Sequence, residues 1–279
     1  MRRYRLLMKL CAFPMLPISR PLVLLGFLTL SFCCVAGSEQ ANTHDSVQAI
    51  ESVRFSKRVE HVLAEHRVEV ALVARVGRPR HSLPAPLRFT HVAIAVYSQI
   101  ETGDGQRLPG YVFYNLYQDR TDKLTSYLAK DSAVNFFAQV VELEAGILIP
   151  VAELQQELKG FVTSAEYTAL HRPEYSILAN PFTLKYQNCT EFVLDTLTAV
   201  IYDTTNKHQI KANLQTHFPA TELKVSRAKL VLARIFNNAV ILDDHRATPR
   251  IASFQSIASY LTKHGALEQR LVVTAAGSG

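Results

Sequence analysis

The sequence has 279 residues, with 30 Lys or Arg and 24 Asp or Glu, which gives a formal net charge of +6. Five of the basic residues and none of the acids fall in the first 37 residues, so 25 basic and 24 acidic residues remain in the rest of the chain. This near balance lacks the basic excess of nucleic-acid-binding proteins and excludes that class of partner. The 242 residues that follow residue 37 are enough for one domain with a sizeable core.

The N-terminus has the pattern of an export signal. Residues 1–20 carry Arg and Lys but no acid, an apolar run follows at 21–35, and small residues come next. These are the three parts of a secretory signal peptide. We expect residues 1–37 to be such a peptide, cleaved after about Gly37 or Ala41, so that the protein is periplasmic or secreted. If the leader is retained, its apolar run is at the short limit for a membrane span and would anchor the protein in the inner membrane.

After the leader, helical and strand patterns follow each other without a regular order. Residues 38–45 are polar and predict a linker, residues 46–274 predict a single domain, and residues 275–279 predict a disordered tail. Alternating or Val-rich runs predict strands at 68–76, 89–97 and 110–118, and a fourth within 140–150 that is centred on 147–149. Apolar residues at helical spacing predict helices at 46–66, 125–137, 151–170, 190–202, 228–236 and 253–263. This mixture predicts an α+β fold with an antiparallel sheet.

Cys189 is the only cysteine outside the leader, because Cys11, Cys33 and Cys34 all precede residue 38. A single cysteine excludes an internal disulfide in the mature chain, although an exported protein enters an oxidising compartment. A free thiol in that compartment is either buried and inert or reactive and used. Both interpretations stay open on this observation alone.

The residues around Cys189 predict that it lies in the first turn of a helix. Asn188 is a favourable N-cap residue, and Val193, Leu197 and Val200 follow on the same face as the cysteine, toward the core. The free N–H groups and the dipole of a helix N-terminus favour a thiolate, and they could also stabilise an oxyanion. Gln187, two residues earlier, either donates to such an oxyanion or shapes the loop.

A thiolate nucleophile requires a base. Among the histidines, His91 is the candidate because of its position in a predicted strand. Strand alternation places His91 on one face with Phe89, Ala93, Ala95 and Tyr97. Since alanines let a helix approach a sheet closely, we expect the Cys189 helix to pack on this face and to bring its sulfur near the imidazole. The alternative is a hydrogen-bonded core histidine without a catalytic role.

The segments at 91–97 and 188–193 together resemble the permuted branch of the NlpC/P60 papain-like superfamily, which includes the lecithin:retinol acyltransferase-like proteins. In that branch the histidine strand precedes the cysteine helix, as it does here with 98 positions between residues 91 and 189. Within the superfamily the chain is most similar to DUF2145-like exported bacterial proteins, over about residues 68–245. The resemblance implies a papain-like domain with an antiparallel sheet, the cysteine helix packed on it, and Cys189 and His91 as catalytic residues.

The resemblance also implies a third polar residue, on the strand after the histidine, that orients the imidazole. Asn115, in the predicted strand at 110–118, is the candidate. Tyr114 or a polar group elsewhere could serve instead, and Asn115 could equally be a strand-end residue without that role.

The implied reaction is acyl transfer through a thioester by a cysteine hydrolase or acyltransferase. The expected substrate is a peptide, amide or acyl group of the cell envelope, and no cofactor or metal is expected. Residues 243–245, Asp-Asp-His, have metal-ligand types, but three adjacent ligands do not converge on one ion, so a loop or a structural cap is expected there. Two other functions stay open: an inactive binding or scaffold protein of the same fold, and a lipid-directed acyltransferase or hydrolase.

Overall fold

A computed structural model of the chain describes residues 38–101, 103–138, 140–226, 229–230, 235 and 237–277. The predicted signal peptide lies outside the described residues, as do all but three residues of the helix predicted at 228–236. In the described part of the chain, no helix has both the length and the apolar character needed to cross a membrane.

The core of the fold is a six-stranded sheet in which every pair of neighbouring strands is antiparallel. Its strands in chain order are β1 (Val70–Val76), β2 (His91–Glu101), β3 (Arg107–Gln118), β4 (Ser126–Ser132), β5 (Glu142–Pro150) and β8 (Leu267–Thr274). Across the sheet the order is β4-β3-β2-β1-β5-β8. Every residue of the central strand β1 is buried, as expected for a Val- and Ala-rich run covered on both faces. A separate two-stranded ribbon joins β6 (Thr221–Glu222) and β7 (Arg250–Ile251).

Helices cover both faces of the sheet. They are α1 (Ser38–Glu65), α2 (Ala133–Phe137), α3 (Ala152–Phe161), α4 (Ala165–Leu170), α5 (Cys189–Ile201), α6 (Lys207–His217) and α7 (Phe254–Lys263). Side chains of α1 and α2 form one hydrophobic cluster with Ala71 and Val73 of β1. Side chains of α3 to α7 form the other cluster with Val70 and Leu72, which point to the opposite face of the same strand.

The cysteine helix α5 is buried along nearly its whole length, from Cys189 to Ala199. Its apolar residues contact the sheet at Val92, Ile94 and Leu116. The predicted α+β class, the antiparallel sheet and the packing of the cysteine helix on it are therefore confirmed.

Several predicted elements differ from the structure. Helix α1 begins at Ser38, so the segment predicted as a linker is helical. The helix predicted at 125–137 is wrong for its first half, which is strand β4, and only Ala133–Phe137 is helical. Leu, Ala and Lys give this segment helical propensity, but it pairs with β3 along its length, and such tertiary pairing overrides local preference.

The C-terminal region also departs from the prediction. Helix α6 and strand β8 were not predicted, and β8 pairs with β5 to form one edge of the sheet. In the predicted tail, the N–H of Ala275 donates to the carbonyl oxygen of Leu143, and that of Gly277 donates to Thr274. Residues 275–277 are thus attached to the sheet edge, and the last two residues lie outside the described part.

Candidate active site

Helix α5 begins at Cys189 because Asn188 caps it. The Asn188 side chain accepts a hydrogen bond from the backbone N–H of Glu191 at 3.0 Å, which is the predicted N-cap geometry. Its amide Nδ2 also donates to the carbonyl oxygens of Ser176 and Ile177, at 3.3 and 3.1 Å. One side chain therefore fixes the start of the helix and ties it to the preceding loop.

Cys189 is buried, with 7% of the residue exposed, and its thiol lies against the start of β2. Its Sγ is 4.0 Å from the carbonyl oxygen of Thr90 and 3.7 Å from Oγ1 of Thr190. Burial alone would raise the pKa of the thiol, but the charge of His91 and its hydrogen bond to the sulfur outweigh burial. Hydrogen bonds from Thr190 and from the backbone of Val92 act in the same direction, and the pKa falls from 9.0 to about 7. The structure thus brings Cys189 and His91 together.

The two residues meet at the end of the sheet and not across the face that the sequence predicted. Ala93 and Ala95 belong to the cluster under α1 and α2, whereas α5 packs on the opposite face. The prediction that these alanines admit the cysteine helix is therefore wrong. His91 is the first residue of β2, and its ring lies 5.6 Å from the ring of Phe136 and also contacts Cys189.

Asn115 on β3 binds the imidazole of His91, with Oδ1 and Nε2 separated by 3.1 Å. The amide has a defined orientation because its Nδ2 donates to the carbonyl oxygen of Phe113 and to Oδ2 of Asp131, each at 3.0 Å. With Nδ2 facing two acceptors, Oδ1 must accept from His91, so Nε2 carries a proton in this network. The other ring nitrogen, Nδ1, is then left to accept the proton of the thiol. The predicted third residue is in contact with His91.

Asp131 and Tyr117 belong to the same network and were missed from the sequence. The Tyr117 hydroxyl donates to Asp131 Oδ2 at 2.7 Å, and its ring stacks on that of His91 with centroids 5.1 Å apart and planes at 9°. Burial, followed by the hydrogen bond to Asp131, raises the pKa of Tyr117, so the phenol stays a neutral donor. Asp131 could have been found only by predicting β4 as a strand. Asp131 pairs with Phe113 on β3, which places it diagonally across from Asn115.

Gln187 is fully buried and faces a cluster of ions behind the helix. Its Nε2 donates to Asp195 Oδ2 at 3.0 Å, and its Oε1 accepts from the backbone N–H of Arg172 at 2.9 Å. Gln187 is not among the residues that line the cavity above Cys189. The placement of its side chain gives the predicted oxyanion role no support and favours the alternative, in which Gln187 shapes the loop.

The ion cluster itself holds two cations and two carboxylates in the interior. Lys211 on α6 contacts Glu191 and Asp195 at 2.7 and 2.6 Å, and Arg172 contacts the same two acids at 2.8 and 3.4 Å. Burial raises the pKa of Glu191, and the charge of Asp195 adds to this, although Lys211 and Arg172 oppose it. Since Glu191 is in the first turn of α5, the cluster anchors the helix start that carries Cys189.

A cavity of about 790 Å³ opens above the thiol. Its wall includes Cys189, His91, Asp131, Arg75 and Tyr175. Burial, followed by the charge of Cys189, raises the pKa of Tyr175, so this phenol is a neutral neighbour of the thiol. A substrate of moderate size can therefore reach the sulfur next to His91.

Residues 243–245 have the structural role expected for them. Asp244 accepts from the backbone N–H of Asn180 at 2.9 Å, and His245 lies 2.6 Å from the carbonyl oxygen of Leu178. Asp243 pairs with Lys185 at the surface. These contacts stabilise the loop that leads to Asn188.

Residues 62–261 match the sequence model of a family described as "Uncharacterized protein conserved in bacteria (DUF2145)". The chain belongs to this family. The matched segment of the DUF2145 protein includes His91, Asn115, Asp131 and Cys189, and the edge strand β8 lies beyond it. No curated protein and no solved structure matches the chain.

Proposed function

We propose that the protein is a thiol hydrolase that works by acyl transfer, with Cys189 as nucleophile and His91 as base. The observation that carries this proposal is the contact between a thiol of lowered pKa and an imidazole that Asn115 orients, at the wall of an open cavity. Nucleophile, base and orienting group are the three parts that covalent acyl transfer requires. A cysteine that serves only in packing would not need a histidine partner that lowers its pKa or an open cavity beside it.

In the proposed first step, Nδ1 of His91 takes the thiol proton and the sulfur attacks a carbonyl carbon. The carbon–sulfur bond forms, the leaving amine or alcohol departs with the proton from His91, and a thioester remains on Cys189. Water then attacks the thioester, gives a proton to His91, and releases the carboxylic acid with the free thiol. The N–H of Glu191 already donates to Asn188, but the N–H groups of Cys189 and Thr190 have no acceptor within the helix, so they can hold the oxyanion in both steps.

The proposed placement is in the permuted papain-like branch of the NlpC/P60 superfamily. In support, the histidine strand precedes the cysteine helix in the chain, and the helix packs on an antiparallel sheet. We also propose export, from the basic and apolar leader, and hence an amide, peptide or acyl substrate of the cell envelope. The fold analogy supports the site geometry and leaves the substrate to be identified by experiment.

The direct test is to trap the acyl-enzyme. The protein would be mixed with p-nitrophenyl acetate at pH 7, quenched in acid, and digested, so that acetylation at Cys189 is separated from that at Cys11, Cys33 and Cys34. We expect a burst of nitrophenol with acetyl on Cys189, which then decays as the thioester is hydrolysed. Cys189→Ser should remove the burst and His91→Ala should slow it by roughly 10²- to 10⁴-fold. Equal rates of acetylation with and without His91 would contradict the proposal.

A further inference from the structure

The cavity above Cys189 has more cations than anions. Its charged wall residues, apart from His91, are Arg75, Arg78, Arg120 and Asp131. The single carboxylate already accepts hydrogen bonds from Asn115 and Tyr117. None of the three guanidinium groups forms an ion pair with a carboxylate of the described residues, and the three arginines outnumber the one acid in this wall.

Arg75 is the most unusual of these cations, because it is only 7% exposed and forms no ion pair within the described part of the chain. Its Nη1 donates to the carbonyl oxygen of Phe136 at 2.7 Å, and its Nε is buried with no hydrogen-bond partner. Other arginines pair with carboxylates: Arg80 and Arg88 with Glu144, and Arg172 with Glu191.

A buried cation that forms no ion pair is costly, even when aromatic rings lie beside it. The guanidinium of Arg75 is 5.1 Å from the ring centroid of Phe136 and 6.0 Å from that of Tyr117, which offsets part of the cost. Burial lowers the pKa of Arg75, while the charges of Tyr117, Cys189 and Asp131 oppose that shift, and an arginine stays protonated in either case. The remaining N–H groups suit an anionic ligand that enters the cavity.

Arg75 is also close to the reacting groups. It is the register partner of His91 across β1 and β2, so the two Cα atoms are about 4.5–5.5 Å apart. A group held by Arg75 would therefore be near the carbonyl that Cys189 attacks. Arg78 and Arg120 are exposed at the same cavity and make no ion pair within the described residues, which suits them to attract an anion from solution.

We propose that the substrate is an acyl donor with a carboxylate close to the scissile carbonyl. Arg75 binds this carboxylate, and Arg78 and Arg120 draw it into the cavity. A guanidinium fork matches the two oxygens of a carboxylate, which makes arginine the suitable residue for this role. This substrate class rests on the proposed function, because it assumes that the cavity delivers a carbonyl to Cys189.

Two alkylating reagents of nearly equal size test the proposal without a known substrate. Iodoacetate carries a carboxylate where iodoacetamide carries a neutral amide, and both alkylate a thiolate. The thiol pKa cancels in the ratio of the two rates at Cys189. Division by the same ratio for 2-mercaptoethanol, an uncharged thiol, then removes the difference in intrinsic reactivity between the two reagents. We expect this normalised ratio to exceed ten in the wild-type protein and to fall with added salt. Arg75→Gln should return it toward one, and Arg54→Gln, an exposed change on α1 outside the cavity, should leave it unchanged.

The outcomes separate the substrate class from the proposed function. Fast alkylation by iodoacetamide with a normalised ratio near one would overturn the carboxylate site and leave the activated thiol in place. A high ratio that survives in Arg75→Gln would also overturn it, because other charges at the cavity, those of His91, Arg78 and Arg120, would then be the cause. Slow alkylation by both reagents would contradict the proposed function, and this inference, which rests on it, would fail as well. If Arg75→Gln does not fold, the exposed pair Arg78→Gln/Arg120→Gln should lower the ratio at least threefold, and an unchanged ratio would count against the proposal.

Discussion

His91 and Asn115 are joined by a hydrogen bond of 3.1 Å between Nε2 and Oδ1, at the point where β2 begins and β3 approaches its end. Because Asn115 Nδ2 is held by Phe113 and Asp131, this bond determines which nitrogen of His91 carries the proton. The imidazole is therefore oriented for the thiol before any substrate arrives.

Removal of the Asn115 amide should impair acylation more than folding. In Asn115→Ala, His91 loses its orienting partner, and a misplaced catalytic group costs roughly 10²-fold in rate. The measurement is the single-turnover acetylation rate of Cys189 with p-nitrophenyl acetate. Asn135→Ala is the matched control, because Asn135 lines the same cavity but its side chain is exposed. Equal rates in the two variants would argue against an orienting role for Asn115.

Asp131 should act on His91 through Asn115. In Asp131→Asn, the replacement amide can donate as well as accept, so the Asn115 carboxamide loses the anion that sets its orientation. We expect a slower acylation rate and a pH profile displaced from that of the wild type. Tyr117→Phe leaves Asp131 in place but removes one hydrogen bond to a charged group, worth about 1.5–3 kcal/mol of the free energy of unfolding. If Asp131→Asn alters stability but neither rate nor pH profile, the residue is only structural.

The cap of α5 should matter for reactivity as well as for stability. Asn188→Ala removes the acceptor of the Glu191 N–H and should cost about 1 kcal/mol in the free energy of unfolding. Asn206→Ala removes the equivalent cap of α6, which accepts from His208 and Gln209, and should cost a similar amount. Only Asn188→Ala should slow alkylation of Cys189, since only this cap positions the thiol. A similar slowing in both variants would show a general effect of instability.

Breaking the buried ion cluster should strongly destabilise the protein. Lys211→Met leaves Glu191 and Asp195 facing Arg172 alone, and the removal of one partner from a buried ion pair costs about 3–5 kcal/mol. Lys159→Met removes a surface partner of Glu69, in a pair with side chains 41% and 52% exposed, and should cost at most about 1 kcal/mol. Urea unfolding of both variants measures the difference. Comparable losses would mean that the cluster contributes little to the stability of the fold.

The sequence predicted the parts of the site that depend on local signals. Asn188 before an apolar helical run indicated where α5 begins, and β alternation indicated the strand that carries His91. Contacts that depend on register between distant strands could not be derived in this way. The role of Asn115 was predicted from the family resemblance. The role of Asp131 could not be predicted, because residues 126–132 have helical propensity but pair with β3 as a strand.

The sequence also could not predict on which face of the sheet the cysteine helix packs. Ala93 and Ala95 were expected to admit α5, but α1 and α2 cover them, while bulkier Val92 and Ile94 contact α5. Both faces of β2 are apolar, so alternation alone could not decide between them. The ion cluster was equally hidden, because Arg172, Glu191 and Lys211 come from separate segments that only the fold brings together.

The central claim is that His91 activates the Cys189 thiol, and the pH dependence of alkylation tests it most directly. A thiol with a pKa of about 7 is half ionised at pH 7, whereas one at 9.0 would be only about 1% ionised. We therefore predict that the iodoacetamide rate at Cys189 rises through an inflection near pH 7. In His91→Ala, burial is no longer opposed by the imidazole, and the inflection should move to pH 9 or above. A wild-type inflection at pH 9 or higher, or a thiol that reacts only after unfolding, would contradict the account.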